Sequence, residues 1–445
     1  MNNLEVAIVV AAIFSFLGTS ATVQAQVPAS LFDMQMEHAT VIGEPWPVDS
    51  FAGFRLWDSG TAWPSINVAP GQYDWSMLDA WLKVAKQQNM DVEYTFGRVP
   101  QWASSNPNDS SCASAPGSCD PPNDLNSNGS GTNQHWKDFV TAIATHVNDP
   151  TYLQTHASIK YWEIWDEAPN PLRWHSSSEK AGIAQMIRMA SDARNIIQSI
   201  DSSALILSPS GGIKVQQETQ WFKDYLAAGG GDYADIIAFH AYLQAQGMQP
   251  VPEDLLTYLA SWVKNVLRPY GQDKKPKWDT EASWGIAGCC HFTDSDLQAG
   301  FVARYYLMHW LGNAQRFYWY AWSDTPAGTL WVANKHNLWE KGTLLKPGMA
   351  YGQIYQWMVG NNVDQSCSPQ KTIWACNVTG PNGFQGQIVW DTSQTCSNGK
   401  CTYSNYSYNS IFVQYVTVLG KVIKLSGGTV PIGYEPIFLE NQSQQ

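Results

Sequence analysis

The chain has 445 residues, of which 44% are hydrophobic and 14% are charged, so it can bury a large core and is not a disordered protein. Its formal net charge at pH 7 is -12, and this acidity argues against nucleic acid as a partner. The length predicts one large domain and a smaller one.

The first 25 residues are predicted to be a signal peptide. Residues 6–17, VAIVVAAIFSFL, form an apolar run too short to span a bilayer comfortably, and Val23-Gln24-Ala25 fits a cleavage site of small residues. The leading MNNLE lacks the usual positive charge, which leaves open a start further upstream or an atypical anchor. We expect the cleaved protein to be secreted, either extracellular or periplasmic, with no membrane segment.

All eight cysteines follow that segment and fall into four short-range pairs. An even count in an exported chain favours disulfide bonds over free thiols. Zinc is the competing interpretation, but paired C-x-x-C motifs are missing and the surrounding loops hold few histidines. We therefore predict disulfides and no metal, although spacing does not fix the connectivity and one pair of adjacent cysteines would close a strained ring. The predicted pairs are Cys112–Cys119, Cys289–Cys290, Cys367–Cys376 and Cys396–Cys401.

From residue 30 to about 325, short β-like runs alternate with longer segments whose apolar residues recur three or four positions apart. There are eight such runs, which is the strand count of a closed (β/α)₈ barrel, or TIM barrel. An open doubly wound sheet is the competing fold, but it usually has fewer strands and often a glycine-rich loop after the first one. The predicted strands are 31–37, 53–58, 91–97, 159–165, 204–210, 235–242, 275–281 and 315–322.

Two segments interrupt or follow this alternation. Residues 104–133 are rich in Pro, Gly, Ser and Asn, and form either a wall of the substrate cleft or a tolerated surface loop. After residue 345 the sequence shows short alternating runs and no helical period. We therefore predict a barrel over residues 26–345 and a C-terminal antiparallel β-sandwich over 346–445.

Two of the predicted strands lead into glutamate at the end where barrel enzymes keep their catalytic groups. Asp166 and Glu167 follow the fourth strand, and Glu281 ends the seventh. Retaining glycoside hydrolysis requires such a pair about 5–5.5 Å apart, one carboxylate attacking the anomeric carbon and the other protonating the leaving oxygen. Arg55, near the end of the second strand, is expected to hold Glu281 charged, and the charge on Glu281 is expected to raise the pKa of Glu167.

The motifs around these residues resemble those of clan A glycoside hydrolases. YWEIWDEAPNP (161–171) is similar to the clan's WEIWNEPN signature, and WDTEASWG (278–285) to its strand-seven nucleophile motif. TFGRVPQWAS (95–104) and YEPIFLEN (434–441) are most like glycoside hydrolase family 39 and its relatives. The resemblance implies a barrel with a sandwich, no cofactor, and retaining hydrolysis of β-glycosides in a polysaccharide or oligosaccharide. β-Xylosides are favoured, with arabinosides, galactosides, glucosides and uronides as alternatives.

Carried over by position, the resemblance implies that Glu167 is the acid/base and Glu281 the nucleophile. It implies that Trp322 forms an aromatic platform under the sugar. For His240, the alternative interpretation is a core histidine whose hydrogen bonds are satisfied within the protein. The implied substrate-binding residues are Arg55, Trp102, Asp166, His240, Tyr242 and Trp322.

Asp166 departs from the clan pattern, which has Asn at this position. The Asn amide can donate a hydrogen bond to the 2-hydroxyl of the sugar, whereas an ionised Asp only accepts one. Our hypothesis is that Asp166 still contacts the 2-position, with the hydroxyl donating, and that its charge raises the pKa of Glu167. The departure leaves two rivals to hydrolysis: a carbohydrate-binding protein with impaired catalysis, and a transglycosylase.

Overall fold

The computed structural model covers most of the chain after the predicted signal peptide. Among the residues described, no helix is long and apolar enough to cross a membrane. The predicted signal peptide (1–25) and the pair Cys289–Cys290 lie outside this part of the chain. The residues described are 26–37, 44–243, 251–285, 292–323, 327–334, 337–397 and 399–442.

All eight predicted barrel strands are present, each shorter than or close to its sequence run. They are β1 (Phe32–Gln35), β2 (Gly53–Leu56), β3 (Asp91–Thr95), β4 (Tyr161–Glu163), β5 (Leu205–Leu207), β6 (Ile237–His240), β7 (Lys277–Ala282) and β8 (Arg316–Trp319). They pair in parallel in the order β5-β4-β3-β2-β1-β8-β7-β6, and a bridge between Leu207 and Ile236 joins the last pair, β5 and β6. The predicted (β/α)₈ barrel is therefore confirmed.

Helices surround the strands, and most of them bury one apolar stripe. In the helix after β3, for example, Trp136, Phe139, Val140 and Ile143 are buried at helical spacing. The first β/α unit differs from expectation, because the described residues between β1 and β2 form no helix. The helices are α1 (Trp63–Ile66), α2 (Ser76–Gln88), α3 (Gln134–Val147), α4 (Glu179–Ile200), α5 (Gln216–Ala227), α6 (Asp254–Trp262), α7 (Ser295–Leu311) and α8 (Lys346–Met358).

Helix α8 packs against α7 and lies in a region where the sequence showed no helical period. That expectation is wrong over 346–358. The helix buries Tyr351, Ile354 and Trp357, and Trp357 in turn contacts Phe438 of the following domain. The antiparallel strands of the C-terminal domain begin only after this helix, so α8 belongs with the barrel by its packing.

The C-terminal strands form the predicted β-sandwich. Six pair in the order β11-β12-β13-β20-β17-β18, and β16 pairs with β19 as a second layer. Val389, Ile437 and Leu439 of the large sheet pack against Val430 and Ile432 of the small one. The strands after β8 are β9 (Trp331–Asn334), β10 (Asn337–Leu344), β11 (Asn362–Val363), β12 (Ile373–Thr379), β13 (Gln385–Asp391), β14 (Cys396–Ser397), β15 (Lys400–Cys401), β16 (Ser404–Ser407), β17 (Gln414–Thr417), β18 (Val422–Lys424), β19 (Thr429–Ile432) and β20 (Ile437–Glu440).

Three of the four predicted cysteine pairs are disulfide-bonded. They are Cys112–Cys119, Cys367–Cys376 and Cys396–Cys401. The first lies within the 104–133 insertion, and this loop packs on the segment after β4: His175 donates its backbone N–H to the carbonyl of Cys119 at 2.7 Å. The insertion therefore stands beside the loop that carries Glu167.

Candidate active site

Glu281 lies inside β7, where the register with β6 shifts and pairs it with His240. Two donors converge on its carboxylate. Tyr242 donates its hydroxyl hydrogen to Oε1 at 2.9 Å, and Arg55 donates from Nη1 to Oε2 at 2.7 Å. Tyr242 follows β6, the strand next to β7, whereas Arg55 reaches Glu281 from β2 across the barrel. That Arg55 keeps Glu281 charged stays a prediction.

Glu167 stands on the turn after β4 in a left-handed backbone conformation, with φ 46°. Such a conformation is costly for a residue with a side chain and often marks a functional site. Its Oε1 lies 3.3 Å from Nδ1 of His240, and Asn170 donates from Nδ2 to its Oε2 at 3.2 Å. The side chain remains 23% exposed, so it is the more accessible of the two glutamates, Glu281 having 12% of its side chain exposed.

The two glutamates face each other at the C-terminal end of the barrel. A carboxylate oxygen of Glu167, one of Glu281 and a ring nitrogen of His240 all lie within 4.8 Å of one another. The structure therefore brings together the strand-four and strand-seven carboxylates across the barrel mouth.

Arg55 is the centre of a buried charge network. Besides Glu281 it contacts Asp166 at 2.8 Å and Glu163 at 3.2 Å through hydrogen bonds, and Glu93 at 3.6 Å. Burial and the charge of Glu163 raise the pKa of Glu93 well above its usual range, and the charges on its partners raise the pKa of Arg55 despite its burial. The guanidinium is fully buried, so it contacts the carboxylates around it and not the solvent.

The ionisation of Glu167 differs from expectation. Burial alone would raise the pKa of Glu167, but the hydrogen bond and charge of His240, with Arg173 and Asn170, lower it to about 2. Burial likewise opposes charge on His240, yet Glu281 and Glu167 raise its pKa to about 9. The contact between the two side chains therefore favours the charged form of each, and the pKa of Glu167 is shifted in the direction opposite to the expected rise.

Asp166 is 1% exposed and lies between two guanidinium groups. Its Oδ1 accepts from Arg55, and its Oδ2 lies 3.8 Å from Nε of Arg173. Burial and the charge of Glu281 raise its pKa to about 7 against both arginines.

The two predicted tryptophans differ in burial. Trp322 is 2% exposed and belongs to the hydrophobic core. Trp102 is partly buried and donates from Nε1 to the carbonyl of Asn67 at 3.1 Å. Their contact with a sugar stays a prediction.

Several residues of this site were not found from the sequence. Asn170 and Arg173 follow Glu167 on an irregular loop, and no periodicity marks them. Glu93 and Glu163 did carry a signal, since a charged residue inside a buried β run requires a charged partner. That partner is Arg55.

A second group of possible metal ligands lies on the insertion and the loop after β4: Asp109, Asp120, His175 and Cys119. His175 Nδ1 already pairs with the two aspartates, at 3.2 and 3.4 Å. Cys119 is disulfide-bonded and offers no thiolate. These residues satisfy one another without an ion.

A comparison with known proteins shows which solved structures share this fold. No family model matches the sequence, and no curated protein matches it. Among solved structures, a family 39 glycoside hydrolase from Bacteroides cellulosilyticus WH2 matches with a TM-score of 0.64 at 14% identity, covering 93% of this chain and 80% of that one. The fold is that of clan A glycoside hydrolases.

Two further structures extend the likeness to other families. A family 30 endoxylanase from Clostridium papyrosolvens C71 matches with a TM-score of 0.56 at 13% identity, covering 94% of this chain and 97% of that one. A Paenibacillus polymyxa xyloglucanase of family 44 gives a TM-score of 0.52 at 9% identity, with coverage of 94% and 97%. Each likeness spans barrel and sandwich together, which confirms the resemblance seen in the motifs.

Proposed function

We propose that this protein is a glycoside hydrolase that cleaves β-glycosidic bonds with retention of configuration. The observation that carries the proposal is the approach of Glu167 and Glu281, since one carboxylate oxygen of each lies within 4.8 Å of the other. Retaining enzymes keep their two carboxyl groups about 5–5.5 Å apart, whereas inverting enzymes leave about 6.5–9.5 Å for a water molecule. The short separation favours direct attack by one carboxylate.

Glu281 is the proposed nucleophile. Its carboxylate accepts from Arg55 and Tyr242, which fix its orientation toward the barrel axis. It attacks the anomeric carbon and forms a glycosyl ester as the bond to the leaving oxygen breaks. Water then hydrolyses the ester and regenerates the carboxylate.

Glu167 is the proposed acid/base, and its proton is shared with His240. We assign that proton in the free protein to His240, whose Nδ1 lies 3.3 Å from Oε1 of Glu167 and whose pKa is raised by the two glutamates. When a bound sugar excludes water from the pair, desolvation favours two neutral groups over two charged ones, and the proton moves to Glu167. Glu167 gives it to the leaving oxygen and later takes a proton from the attacking water.

The proposed substrate is a polysaccharide or oligosaccharide with β-xyloside-type linkages. Support comes from the motif resemblance to family 39 and from the endoxylanase among the structural neighbours. In this proposal Asp166, Arg55, His240 and Tyr242 shape the site around the sugar, while Trp102 and Trp322 keep their predicted role in stacking.

Secretion is part of the proposal. Three disulfides support it, because such bonds persist in oxidising compartments. Mass spectrometry of protein from the culture medium would test it, and we expect a mature N-terminus at residue 26. Full-length protein retained in the cell would contradict secretion.

The decisive experiment compares wild type with Glu281→Gln on a panel of polysaccharides and aryl β-glycosides, following the first-formed anomer by NMR. We expect release of sugar with retained configuration from wild type and none from the variant. Glu179→Gln, at an exposed position in the first turn of α4, is the matched control and should behave as wild type. An inverted product would exclude double displacement, and products longer than the substrate would identify a transglycosylase.

One observation favours a second candidate, a carbohydrate-binding protein with impaired catalysis. The low pKa of Glu167 leaves it ionised in the free protein, without a proton for the leaving group. Saturable binding of a polysaccharide, with no product from wild type on any member of the panel, would favour this candidate over hydrolysis.

A further inference from the structure

A groove lies between the segment that precedes α2 and one face of α3, separate from the candidate active site. Its volume is about 620 Å³, within the range of about 300–1,000 Å³ that is common for ligand sites. Tyr73 and Trp75 line one side, residues of α3 line the other, and neither Glu167 nor Glu281 borders it. The groove is large enough for a ligand, and the proposed reaction does not use it.

Aromatic rings form the first side of the groove. The ring of Trp75 stacks on that of Tyr73, with ring centres 5.2 Å apart, and on that of His146, with centres 4.3 Å apart. Tyr73 and Trp75 are both partly exposed. In the part of the chain that the structure describes, the hydroxyl of Tyr73 makes no hydrogen bond. Tyr73 therefore offers a ligand both its hydroxyl and exposed ring surface.

The loop that carries Tyr73 is fixed from beneath by the buried side chain of Asn67. Its Nδ2 donates to two carbonyls of the same loop, at 2.7 and 3.1 Å, and its Oδ1 accepts from Nε1 of Trp63 at 3.2 Å. A surface that is already ordered loses little conformational entropy when a ligand binds. The aromatic side of the groove is thus prepared for binding before the ligand arrives.

Short polar side chains form the opposite side. Asp138, Thr141 and Thr145 are exposed and lie three or four positions apart, so they project from one face of α3. Burial and the charge of Asp138 raise the pKa of Tyr73, and its hydroxyl therefore keeps the hydrogen that it can donate. Among the described residues that line the groove there is no lysine or arginine. The groove therefore disfavours an anionic ligand.

These features together indicate a neutral sugar. A sugar ring has an apolar face of C–H groups that suits an aromatic side chain, and its hydroxyls both donate and accept hydrogen bonds. Tyr73 provides the aromatic ring, while the carboxylate and hydroxyls of α3 provide partners for sugar hydroxyls across the groove.

We propose that this groove is a second carbohydrate-binding site, which holds a segment of a neutral polysaccharide apart from Glu167 and Glu281. The proposal rests on the proposed glycosidase function for the choice of polymer, since the bound chain is the one whose linkages that site cleaves. Binding in the groove keeps a long substrate on the protein between cleavage events.

The test measures the affinity of the intact protein for soluble linear β-1,4-xylan by affinity electrophoresis. Every protein carries Glu281→Gln, which prevents hydrolysis during the run. Tyr73→Ala removes the ring, and Asp138→Ala removes an acceptor at an exposed position of α3. We expect each change to weaken binding about 3- to 10-fold. Tyr403→Ala removes a tyrosine that is 60% exposed in the β-sandwich, and this matched control should bind as Glu281→Gln alone. Thermal scans show that each variant is folded.

The outcomes separate this proposal from the function on which it rests. Unchanged affinity in both groove variants, or no binding of xylan at all, would overturn the second site even if wild type hydrolyses xylan. A larger loss of binding to polygalacturonate than to xylan would also overturn it, in favour of an acidic ligand. A wild type that hydrolyses no member of the panel, with xylan binding that still depends on Tyr73, would overturn the glycosidase function and leave the second site established.

Discussion

Each end of the barrel holds a buried arginine, and the partners of the two differ. At the C-terminal end, Arg55 lies within 4.0 Å of four carboxylates, those of Glu93, Glu163, Asp166 and Glu281. One cation faces four acidic groups, so the arginine cannot satisfy all of them as anions. Some must bind protons or other donors, and at this same end Nδ1 of His240 lies 3.3 Å from Oε1 of Glu167.

At the N-terminal end, Arg316 begins β8 and closes the barrel. It donates to Asp33 at 3.0 Å and contacts Asp91, while its guanidinium lies 4.7 Å and 4.9 Å from the ring centres of Tyr161 and Trp278. Here two carboxylates and two aromatic faces surround one cation, and every partner is part of the barrel wall. The comparison indicates that an excess of carboxylates over cations marks the end where we propose that the reaction takes place. At the other end, every partner of the arginine belongs to the barrel wall, and the charges stabilise the fold.

The largest effect is expected from Arg55→Met. The variant leaves several buried carboxylates without their cation, and removing one partner of a buried pair typically costs about 3–5 kcal/mol. It also removes a donor from Glu281, for which we expect a loss of roughly 10²–10³-fold in kcat. Urea unfolding and kinetics on an aryl β-glycoside measure the two effects. Wild-type activity in a folded Arg55→Met variant would contradict the proposed role of Arg55 and its four carboxylate partners.

Arg316→Met is the counterpart at the other end and should change stability alone. We expect a loss of about 3–5 kcal/mol in the free energy of unfolding, since Asp33 is left buried without its cation. The kcat of the folded fraction should equal that of wild type, because neither Arg316 nor the residues around it contact Glu167 or Glu281. A comparable fall in kcat for both arginine variants would break the distinction between the two ends.

His240→Gln tests the charge that His240 carries beside Glu167. Because the pKa of His240 in the folded protein is about 9, above its ordinary 6.5, the charged imidazole stabilises the fold below pH 6.5, and this contribution is lost as the pH rises through 9. The gap in Tm between wild type and His240→Gln should therefore be several degrees near pH 6 and close as the pH approaches 10. A gap independent of pH would show that folding does not raise the pKa of His240.

The strands and the approach of Glu167 to Glu281 could be predicted because each follows from a local rule. Alternating β runs gave all eight barrel strands, and the rule that catalytic groups follow strand ends pointed to Glu167 and Glu281. Helix α8 was missed because its sequence, KPGMAYGQIYQWM, contains Pro347 and two glycines, which lower helix propensity. Packing on α7 stabilises it, and tertiary packing is not visible in a local pattern.

The ionisation of Glu167 could not be predicted from its neighbours in sequence. Asp166 was expected to raise the pKa of Glu167, but His240, 73 positions away, makes the contact that decides it. Arg173 was missed for a related reason. Its position depends on the left-handed turn at Glu167, and a single backbone angle redirects the whole following loop.

The smallest effects are expected from Asp33→Asn and Asp166→Asn, one at each end of the barrel. Burial raises the pKa of both carboxyls to about 7, above the ordinary 3.8, so each stabilises the fold when protonated and loses that contribution as the pH rises through 7. Asn keeps an oxygen that accepts from the arginine but cannot ionise, and each variant should therefore exceed wild type in Tm by a few degrees at pH 8.5 and by little at pH 4. Only Asp166→Asn should also change the pH profile of kcat/KM, because Asp166 adjoins Glu167 through Arg173, whereas Asp33 lies at the closed end. Thermal scans and pH–rate curves on the two variants measure these effects. A shifted pH profile for Asp33→Asn would show that the charges around Arg316 also influence Glu167 and Glu281.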